Sequence, residues 1–201
     1  MPGPHYAISE VFIVLAAIWC ILRLSQSRHW LAALGSAIFG MAAAIGVYRF
    51  GTNQIADLAS FHKNFSQIGG SIAMALVTAQ LLLAEPLVNR LVVGRWIVLA
   101  AVIVSTVTAF AVPELTTPLF VSWLFAAIVA TALIPGSTIA RRFSLTAIVS
   151  IFLINLLLIR QSRHLDPDLS WHLFHLLVAI WLLGMVYVLE FRRSDDEITD
   201  R

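Results

Sequence analysis

Long apolar runs separated by short charged or polar clusters organise this chain. Seven of them qualify as spans, at about residues 8–26, 30–50, 66–88, 95–112, 117–135, 143–160 and 170–190. Each approaches the roughly 20 apolar residues that a helix needs to cross a bilayer. None shows the alternating polarity of a barrel strand, which would also be only about 9–11 residues long. The pattern therefore predicts an all-α, polytopic membrane protein with seven transmembrane helices. Small residues in the second and third runs (Gly35, Gly40, Ala44, Gly69, Gly70) mark places where helix backbones can approach closely.

The first run does not read as a cleaved signal. It has no basic region before it, Glu10 precedes its apolar stretch, and no small-x-small site follows. It is expected to remain as the first helix of a single domain, 1–193, followed by a short, acidic, disordered tail, 194–201. No internal repeat is evident.

Composition agrees with this pattern and excludes the soluble alternatives. The chain is 60% hydrophobic and 12% charged, where an ordinary globular domain carries roughly 25% charge. Disorder, collagen and a disulfide scaffold are excluded, the last by a single cysteine, Cys20. The net charge of +2 does not point to nucleic acid, because the basic residues are dispersed at helix ends.

Their distribution instead predicts orientation. Arg23, Arg28, Arg90, Arg95, Arg141, Arg142, Arg192 and Arg193 follow the odd-numbered helices, whereas Arg49, Lys63, Arg160 and Arg163 follow the even-numbered ones. Positive charge collects on the cytoplasmic side, so the N-terminus is expected outside and the C-terminus in the cytoplasm. Short loops favour a bacterial inner membrane, with the outer helix ends facing the periplasm.

Away from their ends the predicted spans carry no Asp, Glu, Lys or Arg. Ion-coupled transporters keep such groups along their pathway, so cation transport is disfavoured and only a neutral solute stays open. The mid-span polar residues Ser36, Thr78, Gln80, Ser105, Thr108, Thr131, Ser150 and Asn155 are expected to hydrogen-bond between helices.

Candidate chemistry gathers at the outer ends, where five of the six histidines lie: His5, His62, His164, His172 and His175. Asp166 reads as the N-cap of the last helix and Pro167 as its first-turn proline. Asp168, His172 and His175 then fall within about 60° of one another around that helix. His172 and His175, one turn apart, suit a shared metal, and His62 enters from the third helix at the same face. Zinc held by His62, His172 and His175 is the expected centre, with Asp168, Asp57 or Ser66 orienting a ligand or bound water. Interfacial histidines bonded to headgroups, or a haem pair, are the alternatives.

The segment Ser170-Trp171-His172-Leu173-Phe174-His175-Leu176-Leu177-Val178 resembles the start of the seventh helix in the superfamily of seven-helix membrane hydrolases. That superfamily contains the alkaline ceramidases, the progestin and adiponectin receptors and hemolysin III-like proteins. The resemblance implies zinc on three histidines, two on helix 7 and one on helix 2, and hydrolysis of lipid amides such as ceramide. His175 matches the pattern directly. Where the family has H-x-x-x-H this chain has His172-Leu173-Phe174-His175, with Trp171 at the position of the first family histidine. The S-x-x-x-H of helix 2 is replaced by Ser36-Ala37-Ile38-Phe39-Gly40.

The expected function is a zinc-dependent membrane hydrolase of a lipid amide or ester at the outer face. Asp168, Arg49 and Ser66 would be its catalytic side chains, with Arg49 holding an oxyanion or phosphate, or else serving as a helix-end anchor. The alternative is a non-enzymatic seven-helix protein that binds a lipid or other ligand, or a subunit of a larger membrane complex. Membrane lipids are the expected partners, and oligomeric state is left open.

Overall fold

Helices begin and end where local chemistry allows. The computed structural model describes residues 3 to 199 apart from 86, 87, 89, 90, 92, 135 and 136, with side chains as far as 191. Seven helices are long and apolar enough to span a membrane, and among the described residues there is no strand. They are α1 (Tyr6–Gln26), α2 (Trp30–Gly51), α3 (Ala59–Leu83), α4 (Gly94–Ala111), α5 (Thr116–Ala132), α6 (Ile139–Ile154) and α7 (Pro167–Thr199). A π-helical turn, Asn155–Arg160, continues α6. The protein is an all-α integral membrane bundle.

Boundaries depart from the apolar runs in three places that matter. α3 starts at Ala59, about two turns before its run, because Lys63 and Asn64 extend the helix with exposed side chains. α1 starts at Tyr6, so Glu10 lies a full turn inside the helix and is 2% exposed. The absence of acidic residues within the spans therefore fails at Glu10. α7 runs as far as Thr199, and neither Gly nor Pro follows Phe191 to stop it. Arg90 and residues 200 and 201, together with the side chains of Arg192 and Arg193, lie outside the described residues.

At the start of α7, Asp166 acts as its sequence suggests. Its carboxylate accepts from the backbone N–H groups of Asp168 at 2.9 Å and Leu169 at 3.3 Å. That cap fixes where the Asp168, His172 and His175 stripe begins.

α1, α2, α3, α5, α6 and α7 follow one another around a ring that closes between α7 and α1, while α4 packs outside it against α3 and α5. Close approach depends on small residues. A Cβ at Gly35 would lie 2.8 Å from the Ala73 carbonyl oxygen, so the α2–α3 contact needs a residue without one. Trp181 anchors the ring interior, fully buried between Phe39 and Phe152, with its indole N–H donating to the Val149 carbonyl at 3.2 Å.

Polar side chains within the spans divide into two groups. Gln80 accepts from the Leu31 N–H, Asn155 donates to the Phe174 carbonyl at 2.8 Å, and Thr78 donates to the Trp123 carbonyl at 3.1 Å. Trp123 in turn donates to Ser105 on α4 at 3.0 Å. Ser36 and Thr131 instead bond carbonyls one turn back in their own helices, Ala32 and Ala127. Thr78→Val keeps the shape and removes one interhelical donor, so it should cost about 0.6 kcal/mol, at most about 1.7. Equilibrium unfolding in detergent measures this; a valine variant as stable as wild type would show that the α3–α5 bond contributes nothing net.

Candidate functional site

Glu10 is the centre of the site. On α1 it shares a buried stripe with Ile13, Ala17, Cys20 and Leu24, at spacings of three and four residues. The stripe turns its carboxylate into the bundle, where α2 gives way to it at Gly46. A Cβ there would lie 2.5 Å from Glu10 Oε1, so this position must be glycine for the carboxylate to fit.

Two histidines close on the same oxygen. His175 Nε2 from α7 lies 3.4 Å from Glu10 Oε1, and His62 Nε2 from α3 lies 3.9 Å from it. All three side chains are at least nine-tenths buried. Each imidazole is oriented through its other nitrogen. His175 Nδ1 lies 2.7 Å from the Trp171 carbonyl oxygen, which can only accept, so Nδ1 carries a proton and, in the neutral ring, Nε2 turns a lone pair toward Glu10. His62 Nδ1 lies 3.4 Å from the Arg49 guanidinium, which can only donate. His62 therefore accepts at Nδ1 and presents an N–H from Nε2. Arg49 is itself held by donating from Nε to the Ile55 carbonyl at 2.8 Å.

Despite this convergence, Glu10 Oε1 has no hydrogen-bond partner. Such an atom is costly to bury unless something completes it. Glu10 is one of the residues lining a cavity of about 280 Å³ walled by Phe39, Phe120, Phe152, Phe174, Ile13 and Val178. Gln67 and Thr117 also line the cavity and are exposed, so it reaches the bundle surface between α3 and α5.

No family model matches this chain, and neither a curated protein nor a solved structure does. Its chemistry is read from the side chains themselves.

Of the sequence-predicted residues, His62 and His175 meet at Glu10, Arg49 backs His62, and Ser66 lines the cavity. His172 and Asp168 are placed elsewhere. The His172 ring packs against Tyr6 and His5, with ring centres 5.6 and 5.5 Å apart. The half-exposed Asp168 carboxylate accepts from the Tyr6 hydroxyl and sits 3.7 Å from His5 Nε2. The α7 stripe does face one neighbour throughout, because all three of its residues contact α1. Tyr6 and Glu10 are themselves one turn apart, so His172 meets Tyr6 while His175 meets Glu10.

Between these two levels lies an aromatic layer. Trp171 packs against His175 at 4.3 Å, Tyr6 at 4.9 Å and Phe50 at 5.5 Å, and Phe50 also packs against His62. Trp171 thus supplies both the carbonyl that orients His175 and part of the cover over it.

A zinc ion on these residues meets support and opposition. The lone pair of His175 and the carboxylate of Glu10 are suitable donors. The Arg49 cation beside His62, and the proton it forces onto Nε2, oppose a third ligand. Among the described residues, no group of three or more His, Cys, Asp and Glu side chains is arranged to hold a metal ion.

Proposed function

We propose that this membrane protein binds a small amphiphile in the cavity between its helices, which corresponds to the non-enzymatic alternative of the sequence reading. The observation that carries it is an apolar cavity lined by Glu10, a buried carboxylate whose Oε1 makes no hydrogen bond. Binding sites of this kind combine mostly apolar walls with a few placed polar groups. The ligand would enter sideways from the bilayer past Gln67 and Thr117, near the ends of α3 and α5. At about 280 Å³, the cavity suits a single short chain and excludes a whole phospholipid.

Gly70 provides the test, because a Cβ there meets only the Phe120 ring, at 4.0 Å, and a larger side chain would occupy cavity space. Native mass spectrometry of protein released from membranes should find about one small apolar molecule per wild-type chain and much less on Gly70→Leu. Equal amounts on both proteins would count against the cavity as its site.

The zinc-dependent lipid hydrolase remains the second reading, favoured by the orientation of His175, whose Nδ1–H is held by the Trp171 carbonyl as in many metal-ligating histidines, with Nε2 turned toward the Glu10 carboxylate. A metal would supply activation of water and polarisation of a carbonyl. Elemental analysis decides: about one zinc per chain, lost in Glu10→Gln and His175→Gln, supports the hydrolase. Metal-free protein that still carries a ligand removes it.

A further inference from the structure

We infer that the ligand's polar end is a primary ammonium seated on Glu10 and His175; this rests on the amphiphile-binding reading and specifies its chemistry. Two acceptors face each other there. Glu10 Oε1 and His175 Nε2 are 3.4 Å apart, and in the neutral ring, whose one proton is committed to the Trp171 carbonyl, Nε2 offers a lone pair. Acceptors so placed need a donor between them. Glu10 Oε1 is buried and makes no hydrogen bond, the N–H that His62 presents from Nε2 being 3.9 Å away and out of hydrogen-bond reach.

The competing head groups fit less well. A hydroxyl has one proton to give and can satisfy only one of the two acceptors. A carboxylate or phosphate would bring a second negative charge to Glu10 in an apolar enclosure. An ammonium offers three N–H donors, enough for both acceptors, and its charge offsets that of the carboxylate. Arg49 does not fill this role: it is held by the Ile55 carbonyl and His62 Nδ1, and Glu10 Oε1 receives no hydrogen bond from it. The walls contributed by Phe39, Phe120, Phe152 and Phe174 then take the apolar body.

Binding of four eight-carbon probes to the full chain in phosphatidylcholine nanodiscs, by calorimetry against empty discs, tests this. The probes are octylamine, octyltrimethylammonium, octanol and octanoate. Octylamine should bind saturably at about one per chain and at least tenfold more tightly than the others. Octyltrimethylammonium separates charge from donors, because it keeps the charge and has no N–H to give. Glu10→Gln should weaken octylamine roughly 30-fold or more, while octanol changes by less than about threefold, which also shows that the variant is folded.

If His175 itself carries the bridging proton, octylamine will gain nothing over octanol. That result, or tighter binding of octyltrimethylammonium than of octylamine, overturns the ammonium assignment and leaves the binding cavity standing. Saturable binding of none of the four probes overturns both.

Discussion

Trp181→Ala is expected to destabilise the bundle by about 3–5 kcal/mol, the range for removing a large aromatic from a packed core. Trp181 is fully buried on α7 and contacts Phe39 of α2 and Phe152 of α6, with ring centres 5.9 and 4.9 Å away. It therefore joins opposite sides of the ring at one point. Trp181→Phe separates the terms, because it keeps most of the apolar contact and removes the indole N–H donated to Val149. It should lose only about 1 kcal/mol from that bond. Since Phe39 and Phe152 also wall the cavity, the alanine variant should lose ligand affinity as well as stability. Equilibrium unfolding of both variants in the same detergent is the measurement. An alanine variant within about 1 kcal/mol of wild type would mean that α2 and α6 close over the gap and that Trp181 is not the anchor.

Such contacts lie beyond a sequence reading, yet the frame that makes them was legible. Seven apolar runs specify seven helices because lipid leaves the backbone no other way to satisfy its hydrogen bonds. Polarity was less informative at helix ends. Lys63 was read as a loop residue before the third span, whereas α3 already includes it. Helix starts near a membrane surface tolerate polar side chains, so apolarity marks only the middle of a span.

Glu10 shows the same limit with larger consequences. Taken as a residue at the outer end of the first span, it looked like a helix-end charge. Its spacing to Ile13, Ala17, Cys20 and Leu24 was a usable signal, since those positions form the buried face of α1. His172 and His175 were correctly read as one stripe, but a stripe does not say which residue of the neighbouring helix stands opposite each member. That depends on how far α1 and α7 are shifted along each other. The shift puts Tyr6 against His172 and Glu10 against His175.

Glu10→Met should make the ligand-free protein more stable, by about 1–3 kcal/mol, the desolvation penalty of an unsatisfied buried polar atom. Methionine has similar length, adapts to irregular space, and can follow the path past Gly46 that the carboxylate takes. Replacing buried polar groups with apolar ones of similar shape is often neutral or stabilising. A binding protein would accept the penalty, since a site built for a ligand is strained until the ligand arrives and stabilising it tends to remove function. The variant should accordingly unfold at higher denaturant while binding octylamine no better than octanol. Loss of stability would indicate the opposite arrangement, with Glu10 held by a proton on His175 as an internal ion pair across α1 and α7. Removing the carboxylate would then leave a charged imidazole buried alone. The sign of the stability change therefore distinguishes a site awaiting a cation from a strut that already contains one.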